Sequence, residues 1–207
     1  MNLNNKFVIT VNRELGSGGR TVGRKLAEKP GVEYYDKALI KALQEKFHLS
    51  VEEIEKIKGQ EQGWWEEFKR KMSLSDEEYY INQMGIEGES VFSAETEFLK
   101  SIAQKESCVI AGRSGFYIFR DHPNHLSIFI QASIPSRVVR VANKQNMSKE
   151  EARMTIEKID HMRENYIQEQ TGLSRYDTRN YQLVLSMDEL TEDAAVEIIM
   201  DYIRRMA

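Results

Sequence analysis

Five short apolar runs recur along the chain: Phe7–Val11, Val32–Tyr35, Cys108–Ala111, Leu126–Ile130 and Leu183–Leu185. Each is nearly unbroken by polar residues, which predicts strands buried on both faces, as in a parallel sheet. Between the runs the apolar positions fall three and four residues apart, the period of a helix. Val22 and Leu26 mark a helix after the first run, and Leu39, Leu43 and Phe47 mark a second. Ile54 and Ile57 follow the capping pattern Ser50-x-x-Glu53, and further starts are signalled by Ser75-x-x-Glu78, Ser148-x-x-Glu151, and Pro135 shortly after Ser133. A last helix has the apolar face Ala195, Ile198, Ile199, Tyr202 and Ile203.

Strand and helix in alternation predict one α/β domain over residues 1–207, with a five-stranded parallel sheet flanked by helices. Its core is expected at 6–36, 106–135 and 181–207. Two stretches exceed that minimum, a helical insertion at 37–105 and a charged helical region at 136–180. Ligands bind at the carboxyl ends of strands in open parallel sheets, so the insertion is placed to hold an acceptor and the second region to close as a lid.

Composition narrows the picture. The 207 residues are 41% hydrophobic and 30% charged, enough for one sizeable core. A net charge of -4 argues against a nonspecific nucleic-acid binder, which needs a basic surface. The single cysteine, Cys108, lies in the apolar run CVIAG and reads as a small buried hydrophobe; it leaves no intrachain disulfide or multi-cysteine zinc site. No run approaches the roughly twenty apolar residues of a membrane span, and the first is too short for a signal-peptide core. The expectation is a cytoplasmic protein without a membrane segment; oligomeric state is not legible.

The chemistry concentrates in residues 6–29, KFVITVNRELGSGGRTVGRKLAEK, which pass from a strand through a glycine-rich turn into an amphipathic helix. Gly16, Gly18 and Gly19 are expected to permit positive φ angles and close backbone approach, and the N–H groups of Gly16–Thr21 opening onto a helix N-terminus make an anion nest. The lysine that such a loop carries is missing: Gly18, Gly19, Arg20 and Thr21 stand where Gly-Lys-Gly-Thr or Gly-Lys-Ser/Thr is expected. Arg20 is the nearest replacement cation; otherwise Arg13, at the start of the loop, or later arginines must serve. Arg113 and Asp36 follow the third and second strands, at the end of the sheet where a ligand belongs. Arg137 and Arg140 lie three apart on one helix, and Asp160 and Arg163 share a helix face, which also suits an ordinary surface ion pair.

The segments FVITVNRELGSGGRTVGRKLA, YYDKALI, CVIAGRSGFYIFRD and IDHMRENYIQEQTG resemble, in order and nearly end to end, the cytidylate kinase-like family, a branch of the nucleoside monophosphate kinases within the P-loop fold. The resemblance implies ATP as donor, Mg2+, and a nucleoside monophosphate acceptor, typically CMP or dCMP. It implies that Gly16, Ser17, Gly18, Gly19, Arg20 and Thr21 wrap the donor phosphates with Arg13 beside them, Thr21 or Ser17 lying near the magnesium. Asp36, Arg113 and Asp160 would serve the acceptor, and Arg20, Arg140 and Arg163 the transferring group, with Arg113, Arg140 and Arg163 directed to one cavity.

The chain departs from the family pattern at Gly19, where a lysine is usual, and at Ser114, where an aspartate helps to read the base. Trp64 and Trp65 are available to stack on a base, although adjacent tryptophans on a helix face different ways. Two alternatives stand beside a nucleoside monophosphate kinase: a nucleotide-binding regulatory protein without turnover, and a kinase of another small molecule.

Overall fold

The first apolar run becomes the central strand of the sheet. In the computed structural model, which describes residues 1–36 and 89–206, this strand is β1 (Val8–Arg13), buried along its whole length. The other strands are β2 (Glu33–Tyr35), β3 (Cys108–Ala111), β4 (His125–Gln131) and β5 (Leu183–Ser186). All pairings are parallel, in the order β2-β3-β1-β4-β5. The five expected strands are therefore present, with shifted ends. β1 begins one residue later and runs on to Arg13, and β4 extends to His125 and Gln131, because ladder pairing with Val8 and Ser186 continues past the apolar stretch.

Helix α1 (Gly19–Glu28) follows β1 and buries Val22, Leu26 and Ala27. The helix starts expected around residues 39–57 and at Ser75, together with Trp64 and Trp65, lie outside the described residues. Helix α2 (Glu89–Lys105) buries Leu99, Ile102 and Ala103 and leads into β3, where Cys108 is fully buried. After β3 comes the short α3 (Gly115–Ile118).

Helix α4 (Ile134–Gln145) starts as the sequence signals: the Ser133 hydroxyl accepts from the Ser136 N–H, and Pro135 occupies the first turn. Helix α5 (Lys149–Thr171) has a complete capping box between Ser148 and Glu151, and ends at Gly172, whose φ of 71° is left-handed. Helix α6 (Glu192–Met206) buries Ala195, Val196, Ile199 and Ile203. Its face differs from the expected one: Ile198 is exposed, because the buried stripe turns toward Val196.

Of the apolar clusters among the described residues, two frame the glycine loop. Ile9, Val11, Leu26, Val109, Ile128 and Ile199 belong to the one that joins the sheet to α1 and α6. The other joins Val138, Val141 and Ala142 of α4 to Ala152 and Ile156 of α5, with Leu15 of the glycine loop packed against it. Leu15 thereby seats the loop on α4 and α5. Among the described residues, no helix is long and apolar enough to cross a membrane.

Candidate phosphate-binding site

The loop leaves β1 at its carboxyl end and enters α1 through Gly18, the N-cap residue, which has a left-handed φ of 85°. Gly16 also has positive φ, 79°, and a Cβ there would lie 2.8 Å from Val141 Cγ2, so the loop can rest against α4 only as glycine. Gly19 corrects the sequence expectation. Its φ is not positive; it is glycine because a Cβ would lie 2.6 Å from Arg13 Cβ and 3.0 Å from Ile130 Cβ.

Gly16, Gly18, Gly19 and Thr21 line a cavity of about 300 Å³. Five cationic side chains share that lining: Arg13, Arg20, Arg140, Lys144 and Arg163. Two acids, Glu14 and Glu192, stand at it, but the first turn of α1 carries none. A helix N-terminus opened by left-handed glycines and surrounded by cations fits a polyphosphate anion.

Hydroxyl placement separates the two candidates for the metal side. Ser17 is fully buried, and its Oγ donates to the Glu14 carbonyl at 2.9 Å and accepts from the Gly19 N–H at 3.4 Å. That hydroxyl serves the loop itself. Thr21 is exposed and lines the cavity. Among the described residues, no group of three His, Cys, Asp or Glu side chains is placed to hold a metal ion.

Arg20 lines the cavity, yet its Nη2 is 2.9 Å from the Asp36 carboxylate, so the guanidinium is drawn along α1 toward the end of β2. Arg140 Nη1 donates to the Gly16 carbonyl at 3.2 Å, and its Nη2 lies 3.7 Å from Glu192. Arg163 lies 3.5 Å from Asp160.

The surface-pair alternative for Asp160 is overturned, because Asp160 is only 6% exposed. It accepts from the Leu15 N–H at 3.0 Å and from Arg137 Nη1 at 2.5 Å, and Arg175 Nη1 stands 3.6 Å away. Asp160 therefore holds the loop from behind rather than lining the cavity. Glu14 joins this network, 3.5 Å from Arg137 and accepting from the Ala132 N–H. Burial lifts its carboxyl above the ordinary range, against the downward pull of that N–H and of Arg137.

Arg113 is not brought to the same cavity as Arg140 and Arg163. Gly112, Arg113 and Ser114 all have positive φ, which turns the chain sharply after β3. The Arg113 side chain is buried in an ion pair with Glu95 of α2 and lies 5.6 Å from the Tyr166 ring centroid. A buried guanidinium needs such a partner, and α2 supplies it. Glu95, Arg175, Lys144 and Glu192 went unread in the sequence. Arg175, fully buried, bonds the Arg13 carbonyl from 162 residues away, a relationship that no local spacing encodes.

With this geometry in view, comparison with known proteins decides the family. The profile of the cytidylate kinase-like family matches residues 8–189. The chain belongs to the cytidylate kinase-like family. This family member is 21% identical over 198 residues to a cytidylate kinase of Sulfolobus acidocaldarius, covering 95% of this chain and 94% of that one. Its fold matches the crystal structure of an uncharacterized protein from Eubacterium ventriosum with a TM-score of 0.70 at 24% identity, over 96% of this chain and 98% of the other. A shikimate kinase from Bacteroides thetaiotaomicron matches with a TM-score of 0.52 at 16% identity, again over 96% and 98%. The architecture is that of the P-loop kinases.

Proposed function

We propose that this protein is an ATP-dependent phosphotransferase that moves the γ-phosphoryl group to a nucleoside monophosphate, a CMP- or dCMP-like acceptor. The observation that carries this reading is the cation-lined cavity at the point where β1 delivers the glycine loop to the N-terminus of α1. The backbone N–H groups of Gly16–Thr21 would hold the donor phosphates, and Arg140 and Arg163 would neutralise the charge of the transferring group. The Thr21 hydroxyl, which lines the cavity, would help to hold magnesium, whose charge would neutralise the phosphates. Asp36 and Arg113, at the carboxyl ends of β2 and β3, would serve the acceptor side, Arg113 from its ion pair with Glu95. In this reading 37–105 is the acceptor-binding region and 136–180 the lid.

Phosphoryl transfer needs positioning and charge neutralisation more than covalent chemistry, which suits a site of backbone donors and arginines. A second reading, a kinase of another small molecule, is favoured by Ser114. Its side chain is buried at the position where the family pattern has an aspartate, and its hydroxyl has no hydrogen-bond partner among the described residues. A coupled assay of ADP release with ATP, magnesium and a panel of CMP, dCMP, UMP, AMP and GMP tests the choice. Pyrimidine-dependent turnover is expected. ATP binding with no turnover on any acceptor in the panel sinks the nucleoside monophosphate reading.

A further inference from the structure

The phosphate-loop pattern G-x-x-x-x-G-K-[ST] can be laid on this chain with its second glycine at Gly18, the N-cap of α1. The other fixed positions all depart: Arg20 stands where the pattern has Ser or Thr, and Arg13 and Gly19 stand where it has its first glycine and its lysine. The last two positions touch. A Cβ on Gly19 would lie 2.6 Å from Arg13 Cβ, an inner atom that cannot swing aside. The strand residue is therefore the tighter of two obstructions, with Ile130 Cβ at 3.0 Å, in the space from which a side chain at 19 would have to start.

Arg13 is also placed to act. It is 8% exposed, yet it lines the loop cavity. Its Nη1 lies 2.8 Å from the position a Cβ on Gly112 would take, so the guanidinium extends from beneath the start of α1 to the carboxyl end of β3. Gly112 at that point, with φ 77°, leaves the room it needs. The Arg13 carbonyl is fixed by the buried Arg175 guanidinium.

We infer that the loop cation has changed places: Arg13, from the end of β1, supplies the positive charge that loops of this pattern supply from the helix, and Gly19 is glycine because Arg13 is there. This rests on the phosphotransferase reading. A guanidinium at the strand end can grip phosphate oxygens in pairs, which an ammonium cannot. Arg20, committed to Asp36, is then not the replacement.

The test is an exchange of the two side chains. Wild type, Arg13→Gly, Gly19→Lys and the double variant are compared by calorimetric titration with magnesium ATP, by thermal melting, and by kcat/KM on an acceptor from the panel. Arg13→Gly is expected to weaken ATP binding and to lower kcat/KM on the order of 10²-fold, the size of one lost preorganised donor. Gly19→Lys alone is expected to lower both the melting temperature and ATP affinity, since Arg13 blocks the side chain. The double variant is expected to regain about tenfold or more over either single change, a coupling that two independent losses cannot produce.

If Arg13→Gly does not fold, Arg13→Gln and Arg13→Lys replace it: loss with glutamine and partial retention with lysine support the exchange, and equal affinities overturn it. A folded Arg13→Gly that binds ATP as wild type does also overturns it, as does a folded double variant no better than its parents. Wild type that binds ATP but turns over no acceptor removes the acceptor reading and leaves Arg13 to be judged by binding alone. Wild type that does not bind ATP overturns both.

Discussion

The Asp160 carboxylate lies 2.5 Å from Arg137 Nη1, and both side chains are almost wholly buried. The same carboxylate accepts the Leu15 N–H, so one buried ion pair ties α4 and α5 to the phosphate loop. Removing the negative charge leaves Arg137 and Arg175 short of compensation in a dry place. Asp160→Asn is expected to cost about 3–5 kcal/mol in urea unfolding. Arg153→Ala, which breaks an exposed helical pair with Glu157, is expected to cost about 0.5 kcal/mol or less. Similar losses for the two variants would remove the loop-anchoring role of Asp160.

Arg20 and Asp36 join the start of α1 to the end of β2 at 2.9 Å, with Arg24 4.0 Å from the same carboxylate. The guanidinium is held toward the end of β2, which under the proposed function faces the acceptor, so Arg20→Ala is expected to raise the acceptor KM by about tenfold, on the order of one charge-assisted hydrogen bond. ATP affinity is expected to stay within about threefold of wild type, less than one such bond is worth. Initial rates with each substrate varied in turn separate the two effects. A loss confined to ATP would place Arg20 on the donor instead.

Gly16 combines a φ of 79° with a Cβ position 2.8 Å from Val141 Cγ2 and 3.0 Å from the Arg137 carbonyl. Gly16→Ala is therefore expected to lose about 1–3 kcal/mol from strain and overpacking together. The reference is Glu28→Ala, an exposed helix position, for which the expected change is within about 0.5 kcal/mol. Chemical denaturation of both variants checks the difference, and a Gly16→Ala protein as stable as wild type would show that the loop can move off α4.

His125 is held neutral. Burial first, then the neighbouring His122, push its pKa down to about 4, and its Nε2 lies 2.8 Å from Thr10 Oγ1. Between pH 6.5 and about 4 the unfolded chain takes up a proton that the folded one refuses. Stability from this group is full above pH 6.5, falls as pH drops toward 4, and is level below that. The loss is at most about 3 kcal/mol. His125→Gln is expected to flatten this part of the stability profile, measured by urea unfolding from pH 4 to 7; an unchanged slope would assign it to other groups.

The sheet and most of the described helix starts were legible because their causes are local. Val8–Val11, Cys108–Ala111 and Leu126–Ile130 are apolar on both faces, and only a strand covered on both sides buries them. Ser133, Ser148 and Pro135 act within one helical turn, and their hydroxyls and ring are found where the pattern puts them. The glycine loop was likewise legible as a strand-to-helix turn. The reason for Gly19 was not, since it lies in the side chains of Arg13 and Ile130 rather than in its own backbone angle.

By itself, then, the sequence determined the alternation of elements, the parallel sheet and the position of the loop at the end of its first strand. Which charges meet was decided only by the tertiary structure. Arg113 met Glu95 instead of the loop cavity, Arg20 met Asp36, and Asp160 became a buried anchor for Arg137 and Leu15. Periodicity and capping depend on neighbours within a few residues and can be read along the chain. A buried charge takes whatever opposite charge or hydrogen-bond donor the packed elements bring to it, and Asp160 and the Leu15 N–H lie 145 residues apart.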